Sequence, residues 1–319
     1  GVGNARAFSA RTGDKVWEFS SVPQPGEPGH DTWEGDSWRD RLGVNAWPFY
    51  FSMDEERGLL YLPLASPIPA DYGGDRGGDN LYGNSVVAVD IETGAYRWHF
   101  QTIRHDLWDA DPPAPPTLFD IPRDGGSIPA LGVTTKSGYL YMLNRETGEP
   151  IYGVEDIQVA ASDVPGEQAA ATQPVPVKPR GLARLRFELD DLVTAEDTSA
   201  EHAAACGELV ESLGELYNAG PFTPWVYRAV GAPLRTTISF PGGVGGPNWG
   251  GPAFDPATGY VFVATQDLGL LGWMEAAPDG EPVPYVKRAP RPSSFTVRIG
   301  DATLPCQKPP WGRLTAVDA

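Results

Sequence analysis

Ala7-Phe8-Ser9-Ala10-Arg11-Thr12-Gly13-Asp14-Lys15-Val16-Trp17 returns as Ala88-Val89-Asp90-Ile91-Glu92-Thr93-Gly94-Ala95-Tyr96-Arg97-Trp98, with Ala, Thr, Gly and Trp at the same places. A looser copy, Leu143-Asn144-Arg145-Glu146-Thr147-Gly148, puts Tyr152 where the Trp stood. Thr-Gly supplies a tight turn with one residue free to take positive φ, and the apolar positions on either side alternate as in two antiparallel strands. Each copy therefore reads as a hairpin. A second hairpin type interleaves with it, at Asp54-Glu55-Glu56-Arg57-Gly58-Leu59-Leu60-Tyr61 and Asp255-Pro256-Ala257-Thr258-Gly259-Tyr260-Val261-Phe262. Two hairpins per unit make a four-stranded sheet, and such units repeated with a buried Trp predict the blades of a β-propeller rather than a sandwich.

The composition agrees. In 319 residues, 38 Gly, 33 Pro and 10 Trp give the turn-rich, aromatic-rich profile of many short strands. Both ends fall inside the repeat: the first hairpin starts almost at residue 1, and Leu314-Thr315-Ala316-Val317-Asp318-Ala319 opens another copy. The expected architecture is thus all-β, about four blades of a partial propeller, in a single incomplete domain over residues 1–319.

One segment breaks the rhythm. Residues 153–240 contain Pro165-Gly166-Glu167-Gln168 and Thr172-Gln173-Pro174-Val175-Pro176-Val177-Lys178-Pro179, too polar and proline-rich for a blade. An Ala-rich run from Ser199 to Leu213, with Leu209 and Leu213 one turn apart, predicts a short helix within it. This insertion is expected to cover one face of the propeller. It holds Cys206; Cys306 lies before Pro309-Pro310-Trp311-Gly312, in a second irregular stretch. The spacing fits no zinc or redox motif and leaves two readings, a disulfide or two free buried thiols.

A formal charge of −18 disfavours nucleic acid and anionic lipid as partners, which it would repel. No stretch approaches the roughly 18 consecutive apolar residues of a membrane helix. Chemistry concentrates in Arg104-His105-Asp106-Leu107-Trp108-Asp109-Ala110-Asp111, three carboxylates and an imidazole between a strand-like run and Pro112-Pro113-Ala114-Pro115-Pro116. A rigid loop at a strand end is a suitable place for catalysis. On spacing alone a run of acids this dense is more often a solvated loop. Asp109 with Asp111 also leaves open a glycoside hydrolase, which needs two carboxylates roughly 5–10 Å apart.

Several further stretches carry a resemblance. Pro25-Gly26-Glu27-Pro28-Gly29-His30-Asp31-Thr32-Trp33, Gly73-Gly74-Asp75-Arg76, His105-Asp106-Leu107-Trp108-Asp109, Pro165-Gly166-Glu167 through Thr172-Gln173-Pro174, and Asn248-Trp249-Gly250-Gly251 resemble signatures of the pyrroloquinoline quinone (PQQ)-dependent dehydrogenases. The branch is that of the membrane-bound glucose and quinate dehydrogenases and their soluble relatives. The resemblance implies an eight-bladed propeller, of which this chain supplies about half. It implies oxidation of a sugar, polyol or cyclic alcohol by hydride transfer to PQQ, aided by calcium or magnesium, with electrons passed to ubiquinone or a cytochrome.

Carried over position by position, the resemblance makes Asp109 the general base for the substrate hydroxyl, with a contact to the metal. It makes Lys136, in Thr134-Thr135-Lys136-Ser137-Gly138, the cation facing the PQQ carbonyls. Trp47 becomes the surface on which the flat cofactor stacks, and Asn248 and Trp249 a second cofactor-facing stretch. Asp106 and Asp111 remain structural acids capping turns. The remaining metal ligands are expected upstream of Gly1 and some substrate-selecting residues beyond Ala319, so the chain alone is not expected to be a working enzyme. A periplasmic location, with an inner-membrane anchor preceding Gly1 in some members, and a Cys206–Cys306 disulfide are also implied. Two departures stand out: Arg104 where a second His often precedes Asp-Leu-Trp-Asp, and Gln266 where an Asn is frequent. A non-catalytic propeller scaffold shares the Trp repeats but needs neither Asp109 nor Lys136.

Overall fold

The structure, a computed structural model, describes residues 3–47, 50–123 and 125–319. Four antiparallel sheets follow one another along the chain. The first pairs β1 (Ala5–Phe8) with β2 (Lys15–Phe19). The second is a four-stranded meander of β3 (Ser52–Asp54), β4 (Leu59–Leu64), β5 (Ser85–Asp90) and β6 (Tyr96–Gln101). The third joins β7 (Thr117–Arg123), β8 (Gly126–Thr134) and β9 (Leu140–Asn144). A ribbon of β10 (Val154–Gln158) and β11 (Thr172–Pro176) and a helix α1 (Ala200–Leu213) come next, followed by β12 (Glu215–Tyr217) and β13 (Arg235–Ser239). The last of the four sheets orders β14 (Pro252–Asp255) and β15 (Tyr260–Gln266) with the distant β20 (Gly312–Asp318). Between β15 and β20 lie β16 (Leu270–Ala276), β17 (Tyr285–Arg288), β18 (Thr296–Ile299) and β19 (Ala302–Pro305).

Consecutive sheets meet along their first strands. Ser52, opening β3, donates its hydroxyl to the carbonyl of Pro116 just before β7, and Thr117, opening β7, donates to Pro252, which opens β14. The same contact thus recurs from sheet to sheet, as neighbouring blades require. At the other edge the repeat explains itself. Asp90 Oδ1 accepts from the amide and hydroxyl of Thr93, at 2.9 and 2.8 Å, and Gly94 closes the turn at φ +71°. The indole of Trp17 donates to Ile91 O at 3.0 Å and lies so close over Gly94 that a Cβ there would be 2.6 Å from the ring. Trp98 repeats this on the next turn, with its N–H on Arg145 O at 3.2 Å and its ring 2.5 Å from where a Cβ on Gly148 would stand. Gly is required twice at each turn, for the left-handed backbone and for the space the Trp fills. Both Trp side chains are buried between sheets.

Four paired strands in a meander appear in the Ser52–Gln101 sheet, whereas among the described residues the other sheets do not repeat that uniform four-stranded blade. The third sheet keeps only an isolated bridge, Leu143 to Pro150, at its fourth edge. Pro150 has no N–H to extend a ladder. The second difference lies in the excursions. β12 and β13 run parallel and continue through β16 to β17, so residues 153–240 and the stretch between β15 and β20 build one mixed sheet together. Cys206 on α1 and Cys306 after β19 are joined by a disulfide with Cα atoms 5.4 Å apart, which ties the two excursions. The helix begins where the sequence suggests, with Ser199 Oγ accepting from His202 N at 3.1 Å.

Candidate active site

The acid-rich loop leaves β6 after Gln101 and is shaped by its own carboxylates. Asp106 is buried and accepts from Trp108 N at 3.0 Å and Ala110 N at 3.1 Å, closing a turn of the backbone. Burial pushes its carboxyl above the usual carboxylate range, opposed by the Ser66 hydroxyl bonded to it. Trp108 anchors the loop by donating to Thr223 O at 2.8 Å, and Trp225 returns the contact on Leu107 O at 2.8 Å. Past this turn Asp109 takes φ +56°, a left-handed conformation that costs an L-residue energy and is found preferentially at functional sites. The Asp109 side chain is half exposed while its neighbours are buried.

Asp109 meets the residue the resemblance selects. Lys136, at the turn after β8, places its Nζ 2.9 Å from Asp109 Oδ2 and 2.9 Å from Asp111 Oδ2. The ammonium is almost fully buried, and its pKa is driven upward by Asp111 and Asp109 against the opposing cost of desolvation. Desolvation and the like charge of Asp111 carry the Asp109 carboxyl up to about 7, against the pull of Lys136. Lys136 Nζ also lies 5.6 Å from the centre of the Trp47 ring, and Trp47 stands 6.4 Å from Trp249 at a tilt of 49°. Trp249 leaves most of its ring exposed, and Asn248 precedes it.

Residues 47, 109, 136 and 249, from four separate segments, therefore share one locale. Two buried polar atoms there have no partner among the described residues, Trp47 Nε1 and Asn248 Oδ1. Buried polar groups are mostly hydrogen-bonded in folded proteins, so these two atoms are open to water or to a ligand. Lys136 also lines a cleft with Trp108, Ser137, Phe222, Phe240 and Gly243, and a Cβ on Gly243 would stand 4.0 Å from Asp109 Oδ2.

Asp111 is more than a turn cap. Its Oδ1 accepts from Ser66 N at 2.8 Å and Ser66 Oγ at 2.7 Å, and its Oδ2 holds Lys136. The two-residue strand period could not have found this, because Asp109 is left-handed and the segment is not a strand. Buried and committed on both oxygens, Asp111 cannot serve as the second open carboxylate of a glycoside hydrolase. The departure at Arg104 is put to structural use: its guanidinium bonds Asp156 at 2.8 Å and Thr172 at 3.0 Å, clasping the β10–β11 ribbon. Gln266 turns back onto Val244 O.

The PQQ family model, described as glucose/ethanol/alcohol dehydrogenase, beta-propeller domain, matches residues 1–319. Among curated proteins, the chain is similar to a quinate/shikimate dehydrogenase (quinone) of Acinetobacter baylyi, at 32% identity over 99% of the chain and 39% of the relative. It is 29% identical to a quinoprotein glucose dehydrogenase of Gluconobacter oxydans over 99% of the chain and 40% of the relative. The chain thus spans about two fifths of the length of these relatives. Among solved structures, the quinohemoprotein alcohol dehydrogenase of Comamonas testosteroni superposes with a TM-score of 0.60 at 22% identity, covering 99% of this chain and 41% of the other, a likeness of fold.

Proposed function

The chain belongs to the PQQ family of glucose, ethanol and alcohol dehydrogenase β-propellers, and from that premise we propose that the intact protein oxidises a hydroxyl-bearing small molecule with PQQ as its cofactor. The substrate class is a sugar, polyol or cyclic alcohol, of the glucose or quinate kind named in its relatives. One observation carries the reading: a half-exposed carboxylate held on a buried ammonium beside two Trp faces and two buried polar atoms that have no partner among the described residues.

The residues present fit the cofactor. Trp47 and Trp249 offer flat aromatic surfaces to a fused ring system, and Trp47 Nε1 and Asn248 Oδ1 offer it a donor and an acceptor that no other described residue uses. When bound, PQQ supplies the two-electron acceptor for alcohol oxidation. Lys136 contributes positive charge where negative charge accumulates on reduction. Asp109 removes the hydroxyl proton of the substrate, and its pKa near 7 matches a base working near neutrality. A calcium or magnesium ion suits the hard oxygen of Asp109. With Asp111 spent on Ser66 and Lys136, Asp109 is the carboxylate of this cluster open to such an ion.

The finer expectations belong to the same reading. The complete propeller has eight blades, with this chain as about half, in keeping with the share of its relatives that it spans. Electrons pass to a quinone or a cytochrome, and the protein works in the periplasm. Among the described residues no helix is long and apolar enough to cross a membrane. The test is to express the complete gene, reconstitute it with PQQ and calcium, and screen sugars, polyols and cyclic acids with an artificial electron acceptor. PQQ-dependent dye reduction is expected. Full PQQ occupancy without oxidation of any substrate, or turnover without PQQ, would contradict the proposal.

A further inference from the structure

Three of the sequence signatures meet at His105, four residues before Asp109. His105 is buried, at φ +46°, with Nδ1 2.8 Å from Gly78 O and Nε2 3.0 Å from Glu167 Oε1. The other Glu167 oxygen accepts from Gly73 N at 2.7 Å. A Cβ on Gly73 would sit 2.4 Å from His105 Nε2, so glycine is the residue that lets the three close up. The Glu167 side chain is 2% exposed, although the residue belongs to a surface excursion. On either side of His105 the backbone is also held. Gln173, buried in β11, accepts from Arg104 N at 2.8 Å and donates to Arg104 O at 2.7 Å. The fully buried Arg76 donates to Asp106 O and, at 2.7 Å, to Asn80 Oδ1.

A surface loop does not need a buried carboxylate on a buried imidazole. Burying such a pair is costly unless every hydrogen bond is made, and its best-attested use is to fix one arrangement among several. Here the arrangement fixed is the segment leading to Asp109, with left-handed residues at both 105 and 109. We propose that Glu167, acting through His105, is a positioning residue that sets the place of Asp109 against Lys136. The proposal rests on the functional reading above, with the 153–240 excursion reaching in to hold the loop of the base.

Two variants of the full-length protein separate positioning from charge and from plain stability. Glu167→Gln can keep both contacts that hold the loop, its carbonyl accepting from Gly73 N and its amide donating to His105 Nε2, and gives up only the Gln168 N–H that Glu167 Oε1 accepts at 3.1 Å. Glu167→Ala loses them. Displacing a catalytic group by about 1 Å costs on the order of 100-fold, so Ala should lower kcat by about 10–100-fold with KM little changed, and Gln should stay within about threefold of wild type. Hydrogen exchange at the amides of Trp108 and Ala110, which report on the Asp106 turn, should quicken in Ala and not in Gln. Unchanged kcat and exchange in Ala, or an equal loss in Gln and Ala, would overturn the proposal. A wild-type protein without PQQ-dependent turnover fails the functional reading instead, and the exchange measurement, which needs no substrate, tells the two failures apart.

Discussion

Lys136 holds Asp109 and Asp111 on one ammonium, each at 2.9 Å, yet only the Asp109 side chain reaches solvent. The two acids share a cation and differ in what they can do. Asp111 is locked by Ser66, whereas Asp109 is free to exchange a proton, with a pKa raised to about 7 by desolvation first and the charge of Asp111 second. A base must be ionised, so turnover in the complete protein should rise with pH through about 7. Asp111→Asn removes the like charge and should move that limb to lower pH, read from a pH–rate profile. The stability consequence has the opposite sign. Because the folded pKa lies above the unfolded value of about 4, the contribution of Asp109 is fully present below that value and is lost as pH rises through the folded pKa. Asp109→Asn should therefore raise the melting temperature more at pH 8 than at pH 5.

Lys136→Ala should weaken cofactor retention and turnover together. The loss of a charge-assisted contact is worth about 1.5–3 kcal/mol, so PQQ affinity should fall on the order of 10–100-fold, measured by titrating the apo protein. Lys136→Arg keeps the charge and should recover part of it. Unaltered PQQ affinity in the Ala variant would remove Lys136 from the cofactor site.

Trp98→Ala should destabilise by about 3–5 kcal/mol through the cavity it opens between two sheets. Gly148→Ala attacks the same contact from the other side, adding both a clash with the ring and an L-residue at φ +77°. Denaturant unfolding should place both variants well below wild type. A loss under about 0.5 kcal/mol, the range of an ordinary surface change, would show that the Trp-on-turn contact does not hold the sheets together.

How far the fold could be read follows from the range of the interactions involved. Thr93-Gly94 and Trp98 were legible because a turn of this kind needs a local Asp, Thr and Gly, and the next Trp needs a flat surface to cover. The pairing of β15 with β20 was not, since 45 residues from 267 to 311 intervene and nothing local announces where the chain returns. The joint sheet of β12, β13, β16 and β17 was hidden for the same reason. At the site, the signature residues Trp47, Asp109, Lys136 and Trp249 could be selected, but Ser66 and the second carboxylate on Lys136 emerge only when distant segments are brought together. His105 stood in a signature without a role of its own, because its partner Glu167 stands 62 positions away.

Reducing the Cys206–Cys306 disulfide should loosen both excursions while leaving the Trp-bearing sheets folded. A closed loop of about 100 residues corresponds to roughly 4–5 kcal/mol of chain entropy. Calorimetry with and without reductant should show a lower first transition. An unchanged thermogram with both thiols demonstrably free would mean that the core around Phe187, Phe240 and Phe295 holds this part by itself.

The most direct test of Asp109 as the base is Asp109→Asn in the complete, PQQ-loaded protein, followed by single-turnover oxidation of its best substrate. Asn keeps the shape and cannot take the proton, so PQQ should remain bound while the rate falls by about 10²–10⁴-fold. A rate equal to wild type at full PQQ occupancy would contradict the account, whatever the fold around it.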